Sequence, residues 1–342
     1  MQLGIIGLPQ SGKSTLFSAL TGSVNEVAKK GENRLATIEV PDARVDFLSA
    51  MYRPVKTTRA KIQYLLPVLP ARPDGARVPD AAWNAVRVTD ALIHVVRNFP
   101  GAEAPCPARD FAALDEELIF ADMVVVEKRL ERLAADAKRG KKPDPEEERL
   151  LLACQKLLDA CKPLRSDPAL AAAPLLRGFT FLSGKPMLAV FNNQDEDEAL
   201  PDVGDLCQRE RCVVVRGKLE EELAQMTSEE ARGFLEEFGV ADTAMDRMIA
   251  ESYTLLGLIS FFTVGEDEVR AWTVPANSPA VEAAGAIHTD LQKGFIRAEV
   301  LAYDDLVAAG TYAEARKLGK VRLEGKTYVV KDGDILHVRF NV

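Results

Sequence analysis

A chain of 342 residues, 47% hydrophobic and 28% charged, is long enough for two or three folded domains and too rich in apolar side chains to be largely disordered. The net charge of −9 excludes a strongly basic nucleic-acid binder of the whole-molecule kind, although a local basic patch stays compatible with it. Five cysteines without a CxxC pair, and only His94, His288 and His337 beside them, argue against a zinc site and for reduced thiols; the lack of a signal peptide or an apolar run of ~18 residues sets the expectation of a cytoplasmic protein.

The first predicted strand, residues 3–6, runs directly into Gly7-Leu8-Pro9-Gln10-Ser11-Gly12-Lys13-Ser14, which fits the phosphate-binding pattern G-x-x-x-x-G-K-[ST]. An amphipathic helix begins at Thr15. Two glycines let the backbone curl until several N–H groups point inward, and the helix adds its positive end, so a polyphosphate finds donors and a favourable field together. Pro9, Gln10, Ser11, Gly12 and Thr15 would contribute to this cradle, Lys13 would reach the outer phosphates, and the Ser14 hydroxyl would ligate Mg²⁺.

Further strand-like runs follow at 36–40, 62–66, 91–96, 187–191 and 212–215, with helical patterns between several of them, which predicts a parallel sheet covered by helices. Residues 111–173 interrupt this with Leu114, Leu118, Val125, Leu130 and Leu133 at helical spacing, a break at 139–143, and then Leu150, Leu151, Cys154, Leu157 and Leu158. That pattern predicts an antiparallel helical hairpin, a short coiled coil. Lys138, Arg139, Lys141 and Lys142 make its turn basic; a solvated tip explains them, and contact with RNA phosphate is the alternative.

From residue 260 the character changes to short strands, predicted at 261–264, 269–274, 327–330 and 336–340, with one helix over 281–292 and a tight turn at 331–334. A separate α+β module of ~80 residues is expected. His94 reads as a buried, hydrogen-bonded strand histidine, Trp272 as a core aromatic, and His288 as a helix-face residue.

Three sets of residues carry a resemblance across nearly the whole chain. They are residues 5–9 with Gly12-Lys13-Ser14-Thr15-Leu16-Phe17; Thr89-Asp90-Ala91 through His94-Val95-Val96-Arg97, with Ala121-Asp122, 126–130 and Lys185-Pro186; and, most closely, 268–273, 284–290, 293–300 and 330–334. The chain resembles the YchF, or Obg-like ATPase, branch of the translation-factor-related P-loop GTPases. The resemblance implies an α/β P-loop G domain (1–110 and 174–259), a helical hairpin inserted in it (111–173), and a C-terminal TGS domain of ubiquitin-like β-grasp type (260–342). It also implies a monomer or weak oligomer that binds ATP or GTP with Mg²⁺ and associates with ribosomes, with no membrane contact.

Hydrolysis in this class needs a second motif, D-x-x-G, whose Asp holds Mg²⁺ through water and whose Gly N–H contacts the γ-phosphate. Counting along the strand places Leu66 at the Asp position and Leu69 at the Gly position, and neither offers the required group. Asp74 or Asp80 could substitute from the following loop. Thr37 fits either a Mg²⁺-binding switch threonine or a structural strand residue. Base recognition has two registers: Asn192 with Asp195, as in the guanine-reading N-K-x-D pattern, and Asn193 with Glu196, as in the N-x-x-E of the Obg-like ATPases; the ungapped alignment favours the first. Lys218, in Arg216-Gly217-Lys218 where the family has Ser-Ala-Lys, would support the base.

A nucleotide-binding, ribosome-associated regulator with weak or absent hydrolysis is therefore expected. An active ATPase or GTPase with a rearranged metal site, and a nucleotide-independent ribosome or RNA adaptor, are the alternatives.

Overall fold

The computed structural model describes residues 1–22, 32–70, 77–227, 230, 233 and 243–341. The chain divides into two compact units, one made of Met1–Ala36 and Gln63–Met248, the other of Thr37–Ile62 and Ile249–Val342.

The first unit is built on a six-stranded sheet in the order β2-β4-β1-β5-β6-β7, where β1 is Gln2–Ile6, β2 Arg34–Glu39, β4 Lys61–Leu66, β5 Ala91–Asn98, β6 Met187–Asn193 and β7 Arg211–Val215. The pairs β1–β4, β1–β5, β5–β6 and β6–β7 are all parallel. The buried apolar runs foretold this, because a parallel sheet covered on both faces needs strands without polar alternation; β6 is buried at all seven residues. The order reverses at β1, whose neighbours β4 and β5 both follow it in sequence. Such a switch point is where doubly wound sheets receive ligands, at the carboxyl ends of the strands.

Two helices, Pro107–Lys138 and Pro145–Asp159, form a hairpin. At ~1.5 Å rise per residue the first spans roughly 48 Å, twice its partner. Its leading half belongs to the sheet, where Phe111, Leu114 and Leu118 pack with Ile6, Leu92 and Val96. Its trailing half pairs with the second helix through Val126, Leu133, Leu150, Leu151 and Leu158. Arg129 and Glu147 add a two-pronged ion pair with both bonds at 2.8 Å. Asp144 caps the second helix by accepting from Glu146 N–H, and Gly140 turns the tip with φ 82°. Fully buried Asp122 ties the hairpin to the turn leading into β6: it accepts from the Leu182 and Ser183 amides, the Ser183 hydroxyl and Arg87.

The second unit carries a six-stranded mixed sheet in the order β11-β10-β12-β8-β9-β3. Here β3 is Lys56–Thr58, β8 Leu258–Thr263, β9 Glu268–Pro275, β10 Phe295–Ala302, β11 Arg322–Glu324 and β12 Asp334–Phe340. Three sequence-based expectations are corrected. Residues 327–330 are not a strand; Val329 makes only an isolated bridge to Pro279, while β12 pairs with β10 and β8, and the Ile296-Arg297 break in alternation hid β10. The helix expected over 281–292 is two helices, Ala280–Ile287 and Thr289–Lys293, because His288 leaves the helical region and its Nδ1 accepts the Asp290 N–H as an N-cap. Trp272 is only partly buried, its indole N–H donating to Thr263 and Arg270 lying 3.8 Å over its ring.

Residues 37–62 belong to this second unit. Strand β3 adds to the edge of β9 in parallel, with Lys56, Thr57 and Thr58 opposite Glu268, Val269 and Arg270. The Thr58 hydroxyl donates to Glu268, and the Arg44 guanidinium bridges Asp42 and Asp332 at 2.9 and 2.6 Å, 5.1 Å above the Phe262 ring.

Candidate functional site

Strand β1 delivers the loop 7–12 to the carboxyl edge of the first sheet, and the helix Lys13–Thr21 leads away from it. Gly7 is buried so tightly that a Cβ there would lie 2.5 Å from the Val95 carbonyl and 2.6 Å from Ser11 Oγ. Gly12 sits at φ 94° against Asn192 Nδ2, in backbone space that a side chain cannot share. Gln10 takes φ 63°, a left-handed conformation that costs a non-glycine residue roughly 1 kcal/mol or more. Because Gly12 supplies no capping side chain, the first-turn amides of the helix are offered to an anion rather than to the protein itself.

Lys13 lies back across the loop, its Nζ 2.7 Å from the Leu8 carbonyl. Ser14 is exposed in the first turn and Thr15 half-buried beside it, while Pro9 and Gln10 are exposed at the apex. Ser11 is 2% exposed, and its hydroxyl has no hydrogen-bond partner among the described residues. The cradle thus fits a polyphosphate in its shape, its backbone donors and its ammonium.

Two asparagines close β6, and their roles differ. Asn192, 5% exposed, donates from Nδ2 to the Ser11 carbonyl at 3.1 Å and accepts the Gly217 amide on Oδ1 at 2.9 Å. It therefore clips the phosphate loop to the start of helix Gly217–Leu223. Asn193 donates to the Asp197 and Ala199 carbonyls and accepts from Asn98, so it shapes its own turn. This separates the two registers: Asn192 is joined to the phosphate loop and Asn193 is not. Asp195, half-buried, stands 3.9 Å from the exposed Lys218 ammonium. Arg216 steadies that loop through the Asp195 carbonyl and a 2.6 Å ion pair with Glu198. Asn98 was not singled out from the sequence, and Gly217 appeared there only within the loop expected to support the base. A polar residue closing the apolar run of β5 was the available signal for the first.

A metal finds fewer donors. Leu66 is 8% exposed in β4, and Leu69 packs against the core cluster that includes Ile6 and Trp83. Thr37 lies within β2 as an exposed strand residue, which matches the structural alternative. Asp80 is paired with Arg87 at 3.0 Å, and Asp74 lies outside the described residues. Among the described residues no group of three His, Cys, Asp or Glu side chains is placed to hold a metal. Mg²⁺ arriving with a nucleotide would find the Ser14 hydroxyl and otherwise depend on phosphate and water oxygens.

Beside the loop lies a cavity of about 450 Å³, walled by Leu8–Ser11, the end of β5 and the residues around Glu103 and Arg109. His94 reaches it from the core, 1% exposed and stacked on Phe111 at 4.7 Å. Burial first, and then the positive charges of Arg165 and Lys13, push its pKa down to about 3. The hydrogen bond expected for this histidine is not found: Nδ1 has no partner among the described residues.

Comparison with known proteins agrees with this arrangement. Residues 2–129 match a family model described as a 50S ribosome-binding GTPase, and residues 258–341 match the YchF-GTPase C-terminal model, described as a protein of unknown function. The chain is 38% identical to the ribosome-binding ATPase YchF of Bacillus subtilis (strain 168) over 361 residues, covering 99% of both chains. It is 34% identical to the protein of the same description from Escherichia coli O157:H7, again over 99% of both. Among solved structures it is similar to the YchF GTPase of Schizosaccharomyces pombe, with a TM-score of 0.84, 28% identity, and 99% and 97% of the two chains covered. Full-length identity of this order, joined to a shared fold and a shared phosphate loop, places the chain in the YchF family.

Proposed function

We propose that this protein is a cytoplasmic, purine-nucleotide-binding regulator that associates with ribosomes and hydrolyses its nucleotide weakly or not at all. The observation that carries the reading is a complete phosphate cradle beside a β4 strand whose metal-holding Asp position is the buried Leu66. Pro9 to Thr15 hold the phosphates, Lys13 turns from the Leu8 carbonyl to the outer phosphates, and Ser14 supplies a protein oxygen for Mg²⁺. Asn192 fixes the loop. Asp195 reads the base with Lys218 beside it, in the register of the guanine-reading pattern.

Ribosome association is supported by the relatives' descriptions and by the exposed cations Lys138, Arg139, Lys141 and Lys142 at the hairpin turn. The hairpin (111–173) and the C-terminal TGS domain (260–342) are the parts that would meet ribosomal RNA, with the protein acting as a monomer.

Binding of labelled ATP and GTP, measured with phosphate release and ribosome co-sedimentation, tests the reading. Tight binding with slow release is expected, and Lys13→Ala should abolish both. Turnover as fast as that of the Bacillus relative would overturn impaired hydrolysis. It would favour a working ATPase with a rearranged metal site, a reading supported by the word ATPase in the relatives' descriptions. Co-sedimentation indifferent to nucleotide would instead favour an adaptor.

A further inference from the structure

Leu66 and Leu69 leave one charge unanswered. A nucleoside triphosphate brings its greatest negative charge at the outermost phosphate, and in this class that charge is met by the P-loop lysine together with the Mg²⁺ that the second motif's Asp holds and the glycine amide of that motif. None of those groups is supplied from β4 and the turn after it, as described through Pro70.

The cavity on the opposite flank of the phosphate loop supplies a different cation. Helix Lys13–Thr21 presents its amides to the inner phosphates, so the outermost one falls toward the leading half of the loop, Leu8 to Gln10, which walls the cavity. Arg97, near the end of β5, lines the same cavity. Its place in the fold is secured by the parallel register that sets it opposite Asn192, the residue holding the loop itself. Its Nη1 donates to the Glu103 carbonyl at 3.2 Å, which holds the guanidinium at the rim. Gly101 makes room for it, since a Cβ there would collide with that same Nη1. Two polar groups more than nine-tenths buried border the cavity without partners among the described residues, Ser11 Oγ and His94 Nδ1. Burial and the neighbouring Arg165 and Lys13 hold the His94 pKa down to about 3 in the unliganded site, so the standing positive charge on this wall is the guanidinium. The second cation of the wall, Arg109, is paired with Asp110 at 3.2 Å.

We propose that Arg97 binds the outermost phosphate from this cavity and makes the site distinguish nucleoside triphosphates from diphosphates in place of the missing second motif. A planar guanidinium matches phosphate oxygens with two parallel bonds, which a lysine ammonium cannot reproduce. Because a guanidinium carries its charge without a metal, the preference for triphosphate persists when Mg²⁺ is removed. The inference rests on the proposed nucleotide binding at the P-loop.

The test is calorimetric titration of the full chain with ATP, ADP, GTP and GDP, each with Mg²⁺ and with EDTA. For the base that binds, Arg97→Ala is expected to weaken triphosphate binding by ~10- to 100-fold, the range for a charge-assisted bond, and to change diphosphate binding less than about twofold. Arg97→Lys should recover only part of the loss. Gly101→Ala, which leaves the guanidinium present but displaces it, should reproduce the selective loss, with thermal melting confirming that each variant is folded. Equal losses for tri- and diphosphate, no loss for either, or a triphosphate preference that vanishes in EDTA would overturn the proposal. Wild-type protein that binds no nucleotide would instead refute the P-loop reading, and the proposal with it.

Discussion

Asn192 is the sharpest point at which to test how the site is held. Its amide makes two buried hydrogen bonds, to the Ser11 carbonyl at 3.1 Å and from the Gly217 amide at 2.9 Å, linking residues 181 and 25 positions away. Asn192→Ala removes both and leaves a buried carbonyl and a buried N–H without partners. Each orphaned group costs about 1–3 kcal/mol, so the variant should lose about 2–6 kcal/mol of stability. Urea denaturation at constant m-value reads that loss as a lower midpoint. Nucleotide affinity should fall as well, because the carbonyl of Ser11 and the position of Gly12 no longer have a fixed reference. Asn193→Ala is the control: it too breaks hydrogen bonds, to the Asp197 and Ala199 carbonyls and from Asn98, but none to the phosphate loop. It should lower stability with little change in phosphate affinity. An Asn192→Ala protein within 0.5 kcal/mol of wild type, or one that binds nucleotide within about twofold of it, would refute the clip argument.

Three more outcomes are expected. His94 stays neutral in the folded protein down to about pH 3. The unfolded chain takes up that proton below about pH 6.5, so stability from this residue is complete above pH 6.5 and is lost as pH falls, by about 2 kcal/mol at pH 5. His94→Phe should flatten that slope in pH-dependent denaturation, and an unchanged slope would show that the imidazole titrates freely. Asp122→Ala removes a fully buried carboxylate from two amides, a hydroxyl and Arg87, and should cost about 3–5 kcal/mol, read as a melting shift; a loss below about 1 kcal/mol would show that the hairpin is anchored elsewhere. Finally, a fragment of residues 249–342 alone leaves the β9 edge unpaired and Asp332 without Arg44. It should melt at a higher temperature when a peptide of residues 37–62 is added, and indifference to the peptide would refute that pairing as a stabilising one.

What could be read in advance followed from interactions close in sequence. The phosphate loop is set by Gly7, Gly12 and the strand and helix on either side, all within twenty residues, and the helical hairpin by periodic leucines around a Gly-Pro break. The parallel sheet was legible because buried strands announce themselves as apolar runs. Strand β10 escaped because Ile296 and Arg297 interrupt its alternation, and residues 327–330 looked like a strand because β-branched residues suit any extended backbone, paired or not.

The sequence by itself determined that the chain carries a polyphosphate cradle, that leucines stand at the Asp and Gly positions of its second motif, and that a small α+β module follows the G domain. Only the tertiary structure showed which of Asn192 and Asn193 meets the phosphate loop, because that contact joins segments 181 residues apart. It likewise placed Thr37 in a strand, gave residues 37–62 to the second unit with β3 at the edge of its sheet, and set Arg97 in a cavity shared with the phosphate loop. Each of these depends on a pairing register between segments far apart in the chain. Local propensity carries no information about such partners, since the free energy that selects them comes from burial and hydrogen bonds formed only when the sheets close.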